Sequence, residues 1–465
     1  MSDTAPQAFA TLPLKPELLS NLETLGYHTM TPIQQAALPP ILAGEDVVGQ
    51  AKTGSGKTAA FGLGLLNRLR VGRFCVQSLI LCPTRELADQ VANELRRLGR
   101  GIPNVKVLTL CGGTPLGPQA ASLEHGAHIL VGTPGRVQDH LSRKTLDLNT
   151  LELLVLDEAD RMLEMGFQSE LDYIVARTPA ERQTLLFSAT YPDEIQQVAE
   201  SFMHQPRMVQ AAATKLSADI HQYFFEVADN EARTPALQRL LLQYQPGSCV
   251  VFCNTKKEVN SVARSLQDFG FSVLALHGDL DQRDRDQTLI RFANGSASVL
   301  VATDVAARGL DIEALDAVVN YHIAHDSEVH VHRVGRTGRA GSQGLALSLF
   351  STKEAAKVTR LEDYLGLRIE STPLPNESVL QNAPMRPELL TLEIDGGKKQ
   401  KLRPGDIVGA LTRDGNLKGD QLGKIQITDQ RAYVAVKRSV VNRALKILAH
   451  GKIKGRQFRA RLMLD

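Results

Sequence analysis

The 465-residue chain has no run approaching the ~18 uninterrupted apolar residues of a membrane-spanning helix, so no membrane association is expected. Its first residues, Met1-Ser-Asp-Thr-Ala-Pro-Gln, offer neither a basic nor an apolar leader region, and a cytoplasmic location is expected. Cysteine is scarce. Cys75, Cys82, Cys111, Cys249 and Cys253 are odd in number and unevenly spaced, which argues against a disulfide framework and for small buried hydrophobes in a reducing compartment. What is present suffices for folding: 43% hydrophobic and 22% charged residues exclude a wholly disordered chain. The length suggests about three domains. The net charge of +2 conceals an asymmetry. Residues 389–465 hold 17 Lys and Arg against 7 Asp and Glu, a balance of +10, while residues 1–388 hold 36 against 44, a balance of −8. A basic tail on an acidic body points to an appended binder of nucleic acid or another acidic surface.

Hydrophobic periodicity divides the chain. In residues 1–208, short apolar runs (47–49, 78–82, 105–110, 128–131, 153–156, 184–187) alternate with amphipathic stretches such as Arg85–Leu98. The pattern returns in 214–370, with runs at 248–252, 272–276, 298–302, 317–320 and 345–350 and helical patterns at 256–269 and 281–292. Each half reads as an α/β domain with a parallel sheet covered on both faces. Residues 371–388 are proline-rich and aperiodic and read as a stiff linker. Residues 389–465 read β-α-β-β-α-β, with strands near 389–395, 421–428, 431–437 and 456–464 and helices near 404–411 and 439–450. Pro404 suits a first helical turn and Gly451 a helix end.

Ala51-Lys-Thr-Gly-Ser-Gly-Lys-Thr58 follows the first strand and opens a helix. It meets the pattern G-x-x-x-x-G-K-[ST], except that Ala51 replaces the first glycine. Thr53, Gly54, Ser55, Gly56, Lys57 and Thr58 are therefore candidates for a nucleotide phosphate cradle, with Lys57 on the β/γ oxygens and Thr58 on Mg²⁺. Leu153–Leu156 deliver Asp157-Glu158-Ala159-Asp160. A buried strand carrying acid to a phosphate loop is the expected magnesium partner: Asp157 as the metal-holding carboxylate, Glu158 polarising the attacking water. No N-K-x-D guanine signature and no L-S-G-G-Q signature occurs, which disfavours a GTPase or a transporter ATPase.

The tetrapeptide at 157–160 and about ten further motifs, in order over residues 9–350, resemble the DEAD-box RNA helicases. Phe9, Gly26 and Thr31-Pro-Ile-Gln34 resemble the family's adenine-reading motif, which implies that Gln34 pairs with the adenine edge and Phe9 stacks on the base. Pro83-Thr84-Arg85, Gly112-Gly113 and Thr133-Pro-Gly-Arg136 resemble RNA-backbone contacts, and Ser188-Ala-Thr190 resembles the link from hydrolysis to strand separation, to which Asp160 also belongs. In the second half, Phe252-Cys-Asn254, Gln282-Arg-Asp-Arg285, Ala302-Thr303-Asp304 with Ala307-Arg-Gly-Leu-Asp311, and His332-Arg-Val-Gly-Arg336-Thr-Gly-Arg339 complete the set. The resemblance implies two RecA-like domains, ATP and Mg²⁺ as cofactors, RNA contacts at Arg285 and Thr303, nucleotide contact at Asp311, and Arg336 and Arg339 as fingers on the γ-phosphate. It places His332 near Glu158 and Thr190, whereas His322, His325 and His330 lack the companions of a metal site. The physical chemistry agrees: arginines on one domain and a phosphate loop on the other make hydrolysis depend on closure, so ATP and RNA should bind cooperatively.

The tail's order is that of a small α+β RRM-like domain. Alternation turns Leu390, Leu392 and Ile394 to the core, and Arg431, Tyr433, Ala435 and Lys437 outward. Arg459 and Arg461 are further RNA candidates on the last strand. Only Tyr433 supplies a ring where such sheets display several, so a structured RNA held by phosphates and guanidinium stacking is expected. Asp395-Gly-Gly-Lys-Lys399, Arg403-Pro-Gly-Asp406 and Gly451-Lys-Ile-Lys-Gly455 resemble one bacterial branch of the family. That resemblance implies targeting to a hairpin of 23S ribosomal RNA and a role in large-subunit assembly, by a monomer or weak dimer. The alternative is an ATP-gated RNA clamp or annealing chaperone.

Overall fold

A computed structural model describes residues 7–51, 54–210, 220–307, 315–338, 343–413 and 417–463, so Thr53, Asp311 and Arg339 lie outside the described residues. The chain divides into two compact units, Met1–Lys215 and Leu216–Asp465.

In the first unit, β1 (Val47–Gln50), β2 (Ser78–Leu81), β3 (Val107–Leu110), β4 (Ile129–Gly132), β5 (Leu153–Asp157), β6 (Gln183–Ser188) and β7 (Arg207–Gln210) form a parallel sheet ordered β3-β4-β2-β5-β6-β1-β7. The central strands are apolar because helices cover both faces. Helix Arg85–Leu98 shows why such segments fold as they do: Leu87, Val91, Leu95 and Leu98 line one buried stripe, and Thr84 Oγ1 caps the start by accepting from Leu87 N at 3.2 Å. Edge strand β7 was not expected. Of its four residues only Val209 is buried, so it carries no apolar run to read.

In the second unit, β8 (Ile220–Glu226), β9 (Cys249–Cys253), β10 (Val273–Leu276), β11 (Val299–Thr303), β12 (Ala317–Asn320) and β13 (Gly344–Phe350) are parallel in the order β10-β11-β9-β12-β13-β8. A separate antiparallel sheet follows: β14 (Leu389–Ile394), β15 (Leu422–Ile427), β16 (Ala432–Lys437) and β17 (Ala460–Leu462), ordered β15-β16-β14-β17. Helices Pro404–Thr412 and Val441–His450 pack on one face through Ile407, Leu411, Ala444 and Leu448 against Leu392, Ile394, Val434 and Val436. The fold is two RecA-like parallel-sheet domains followed by a small α+β RRM-like domain.

Two expectations about the tail change. Its second face is not open. Thr391 and Tyr433 are 0% and 4% exposed, and Glu393 and Ala435 are buried beside them. The cover is the end of helix Gln282–Ala293 and the turn after it: Asn294 Nδ2 donates to Thr391 Oγ1 at 3.2 Å, and Ser296 Oγ lies 2.7 Å from the same oxygen. Alternation separates two faces of a strand but does not reveal what a face meets. The proline-rich stretch is likewise packed rather than free. Leu374, Val379 and Leu380 pack against the second domain's core, and Arg239 Nε donates to Pro375 O at 2.7 Å.

Candidate functional site

The phosphate loop leaves the carboxyl end of β1 and runs into helix Lys57–Arg68. Gly54 and Gly56 have φ of 79° and 95°, a region that costs a side chain dearly. At Gly56 space forbids one as well, because a Cβ would stand 2.4 Å from Gln34 Nε2. Gln34 donates to Gly56 O at 3.1 Å and accepts from Thr31 N at 2.9 Å, while Thr31 Oγ1 donates to Ser55 O at 2.8 Å. The Thr31–Gln34 turn therefore holds the loop itself, a role that sequence reading had not assigned. Phe9 is buried with the core around Leu14 and Leu18.

Lys57 is only 6% exposed, yet among the described residues its Nζ has no hydrogen-bond partner, and neither has Ser55 Oγ. A buried, unpaired ammonium at a helix N-terminus, beneath a turn of backbone amides, fits a polyanion. Asp157, at the end of β5, is 3% exposed. Burial pushes its carboxyl up to about 7, against the pull of Lys57. A divalent cation beside it would offset that cost. Thr58, next to Lys57, completes a set suited to Mg²⁺ and a triphosphate. Glu158 sits in the left-handed region at φ 52°, ψ 52°, a strained conformation for a non-glycine residue, with its carboxylate 3.7 Å from Arg161 Nε.

Asp160 is tied to the segment after β6. Its Oδ2 accepts from Ala189 N at 3.2 Å, Thr190 N at 3.1 Å and Thr190 Oγ1 at 3.2 Å. Ser188, at the end of β6, is buried with its hydroxyl unpartnered. The acidic loop and the Ser188–Thr190 segment are thus mechanically one.

The other first-unit candidates lie where strands end. Pro83 and Thr84 lead from β2 into the N-terminus of helix Arg85–Leu98. Thr133 precedes helix Pro134–Ser142, which carries Arg136. Gly113 is exposed with φ 74°, and Arg136 NH1 donates to Thr114 O at 2.9 Å, joining that loop.

In the second unit, Arg285 NH2 donates to Ala306 O at 2.8 Å and Thr303 Oγ1 accepts from Ala306 N at 3.3 Å. His332 lies in helix Ser327–Val334, and Arg336 just beyond it. The element ordering this corner is Arg333, which had not been singled out. It is 2% exposed, bonds Asp304 through both carboxylate oxygens at 2.7 Å, and donates to Asn320 Oδ1 and His322 O. His322 and His330 serve packing: His322 Nε2 lies 2.6 Å from Glu258, and buried His330 stacks on Phe224.

In the tail, the outward candidates separate. Tyr433 is covered. Arg431 and Arg461 both bind the buried carboxylate of Glu393, Arg461 NH2 at 2.8 Å. Lys437 and Arg459 remain accessible, Lys437 lying 3.7 Å from Asp420.

Comparison with known proteins shows the family. The family descriptions DEAD/DEAH box helicase, Helicase conserved C-terminal domain and DbpA RNA binding domain match residues 31–198, 232–341 and 391–462. The chain is 55% identical over 458 residues to the ATP-dependent RNA helicase DbpA of Escherichia coli (strain K12), covering 98% of this chain and 99% of that one. It is 37% identical to the Bacillus subtilis (strain 168) protein of the same name, covering 95% and 96%. Among solved structures, S. cerevisiae Dbp5 bound to RNA and ADP BeF3 matches with a TM-score of 0.71 at 30% identity, over 80% of this chain and 96% of that one. The chain belongs to the DEAD-box family of ATP-dependent RNA helicases, in its DbpA branch.

Proposed function

We propose that the protein is an RNA-stimulated, Mg²⁺-dependent ATPase that locally opens RNA duplexes near a hairpin of 23S ribosomal RNA during large-subunit assembly in the cytoplasm. The observation that carries the ATP site is the buried, unpartnered Lys57 ammonium beneath the Gly54–Thr58 turn. In this reading the turn's amides and Lys57 hold the β- and γ-phosphates, and Phe9, Gln34, Thr53 and Asp311 serve the nucleotide. Thr58 and Asp157 hold the metal ion, which when bound neutralises charge on the phosphates. Glu158 orients the attacking water, and His332, Arg336 and Arg339 act on the γ-phosphate side, where developing charge makes an arginine worth ~10³–10⁵ in rate. Asp160, Ser188 and Thr190 pass the change at the phosphate to the RNA contacts. Pro83, Thr84, Arg85, Gly113, Thr133, Arg136, Arg285 and Thr303 grip backbone, which carries no base sequence.

The tail supplies the address. What supports this is its charge of +10 and the exposure of Lys398, Lys399, Arg403, Lys452 and Lys454 in the three segments that carry the subfamily resemblance. Those segments adjoin: Lys454 Nζ donates to Lys401 O at 3.0 Å and lies 3.9 Å from Asp406. With the sheet face covered, Arg459, beside Asp395, and the accessible side of Arg461 join that edge, Lys437 adds charge at the opposite end of β16, and Tyr433 and Arg431 support the seam. Stimulation of the ATPase by a 23S hairpin fragment against an unrelated hairpin at matched salt is the test. A preference that disappears when residues 389–465 are removed supports the reading; equal stimulation by both hairpins refutes it.

A further inference from the structure

The first unit contains a polar knot centred on a residue outside the family motifs. Gln119, on helix Leu116–Glu124, uses all its hydrogen-bonding positions. Its Nε2 donates to Cys111 O at 3.0 Å and Thr114 Oγ1 at 2.8 Å. Its Oε1 accepts from Arg136 NH1 at 3.0 Å and lies 3.1 Å from His140 Nε2. A carboxamide has two donors and two acceptor lone pairs, so this set leaves it one orientation.

His140 is fully buried on helix Pro134–Ser142, with Nδ1 2.8 Å from Thr145 Oγ1. Burial, with Arg136 and Arg143 nearby, lowers its pKa against the smaller opposing pull of Asp139. The ring's Nε2 faces Gln119 Oε1, and its Nδ1 faces the Thr145 hydroxyl, which donates to His140 O at 3.2 Å. Arg136 is held at two of its three nitrogens. Its NH1 serves both Thr114 O and Gln119, and its Nε stands 3.8 Å from Asp139. None of these contacts uses NH2.

We propose that Gln119 is a positioning residue for RNA, fixing the Cys111–Thr114 loop and the Arg136 guanidinium as one rigid phosphate-gripping unit with His140 behind it. This rests on the reading of Gly113 and Arg136 as RNA-backbone contacts. A guanidinium already anchored through NH1 and Nε loses less freedom when its NH2 meets a phosphate, so the knot supplies affinity without touching the ligand.

The test measures ATPase activity of the full chain against RNA concentration. Gln119→Leu keeps the bulk and removes all four bonds. The half-maximal RNA concentration should rise about tenfold, while kcat at saturating RNA and KM for ATP stay within about twofold. Arg136→Ala should raise it too, and the double variant should be no worse than Arg136→Ala alone, because the two act as one unit. Gln119→Glu keeps shape and both acceptors but loses the donors to the loop, so it should also weaken RNA dependence. It decides the matter if Gln119→Leu does not fold. Wild-type RNA dependence in the Gln119 variants, with Arg136→Ala impaired, overturns the proposal and leaves the RNA reading standing. An Arg136→Ala variant with unaltered RNA dependence overturns both.

Discussion

In the proposed function, Lys57 is the residue on which the chemistry turns. An ammonium buried without a partner is costly unless a polyanion arrives, so its burial and its function are the same fact. Replacing it with alanine should reduce ATP turnover by at least about a hundredfold. RNA binding through the tail should survive, as filter binding in parallel with the ATPase assay would reveal. Gly56 tests the loop's support. A methyl group there meets Gln34 at 2.4 Å in a backbone region that L-residues avoid, so Gly56→Ala should raise the KM for ATP about tenfold in steady-state assays. Thr190→Ala removes one of the three bonds to Asp160 Oδ2. ATP hydrolysis should persist while duplexes opened per ATP fall; unchanged coupling would deny the link between Asp160 and Thr190 a mechanical role. The phosphate loop and the acidic loop stand out from residues alone because their spacings suit phosphate and metal geometry, whereas the arginine-rich motif stands out only through its family resemblance. The grip of Gln34 on Gly56 and of Arg333 on Asp304 could not, because each joins segments far apart in the chain.

At the scale of elements, a buried charge cluster ties β12's end to the helices around it. Arg233, 1% exposed, binds Glu354, which also accepts from Ser351 N at 3.1 Å and lies 3.5 Å from His322 Nδ1. Burial pushes the Glu354 carboxyl up, but His322, Arg233 and the Ser351 amide outweigh it and hold it at about 2. Its folded pKa lies below the ordinary 4.5, so its stabilisation is complete above pH 4.5 and is lost as pH falls from there toward 2. For His322, burial pulls down but the bonds to Glu258 and Glu354 win, raising it above 6.5. Its contribution is present below pH 6.5 and lost as pH rises through the folded value. Glu354→Ala, which strands Arg233 uncompensated, should cost on the order of 3 kcal/mol in denaturant unfolding at pH 7. Glu354→Gln should flatten the acid loss of stability seen by thermal melts between pH 4.5 and 2. Strands with continuous apolar runs were legible from hydropathy; β7 and β8 were less so, since one edge of each has no strand neighbour and half-buried edges blur the pattern.

For the whole molecule, the consequential contact is the seam between the tail's sheet and the second RecA-like domain. It is polar, built on Thr391, Asn294 and Ser296 beside the enclosed Tyr433, and Gln287 Nε2, Asn294 Oδ1 and Gln426 Oε1 are buried with no partner among the described residues. Thr391→Arg, placing a charge where the side chain is wholly enclosed, should release the tail. Limited proteolysis should then cut within 371–388 faster than in the parent, while the ATPase of the core persists. Equal cleavage rates in the two proteins would show that the seam does not restrain the tail.

Local chemistry settled much in advance. A loop that cradles phosphate, a strand that ends in acid and a tail rich in Lys and Arg are properties of short segments, whose residues must act together wherever the chain puts them. Hydrophobic period, in turn, depends only on a segment's own helical or extended repeat, and it marked both parallel sheets and the small antiparallel one. Tertiary structure alone decided which surfaces are covered. Tyr433 and Thr391 alternate as solvent-facing residues do, yet they are enclosed because a distant helix end presents matching polar groups. Burial of that kind is a relation between two segments, and no one segment contains it.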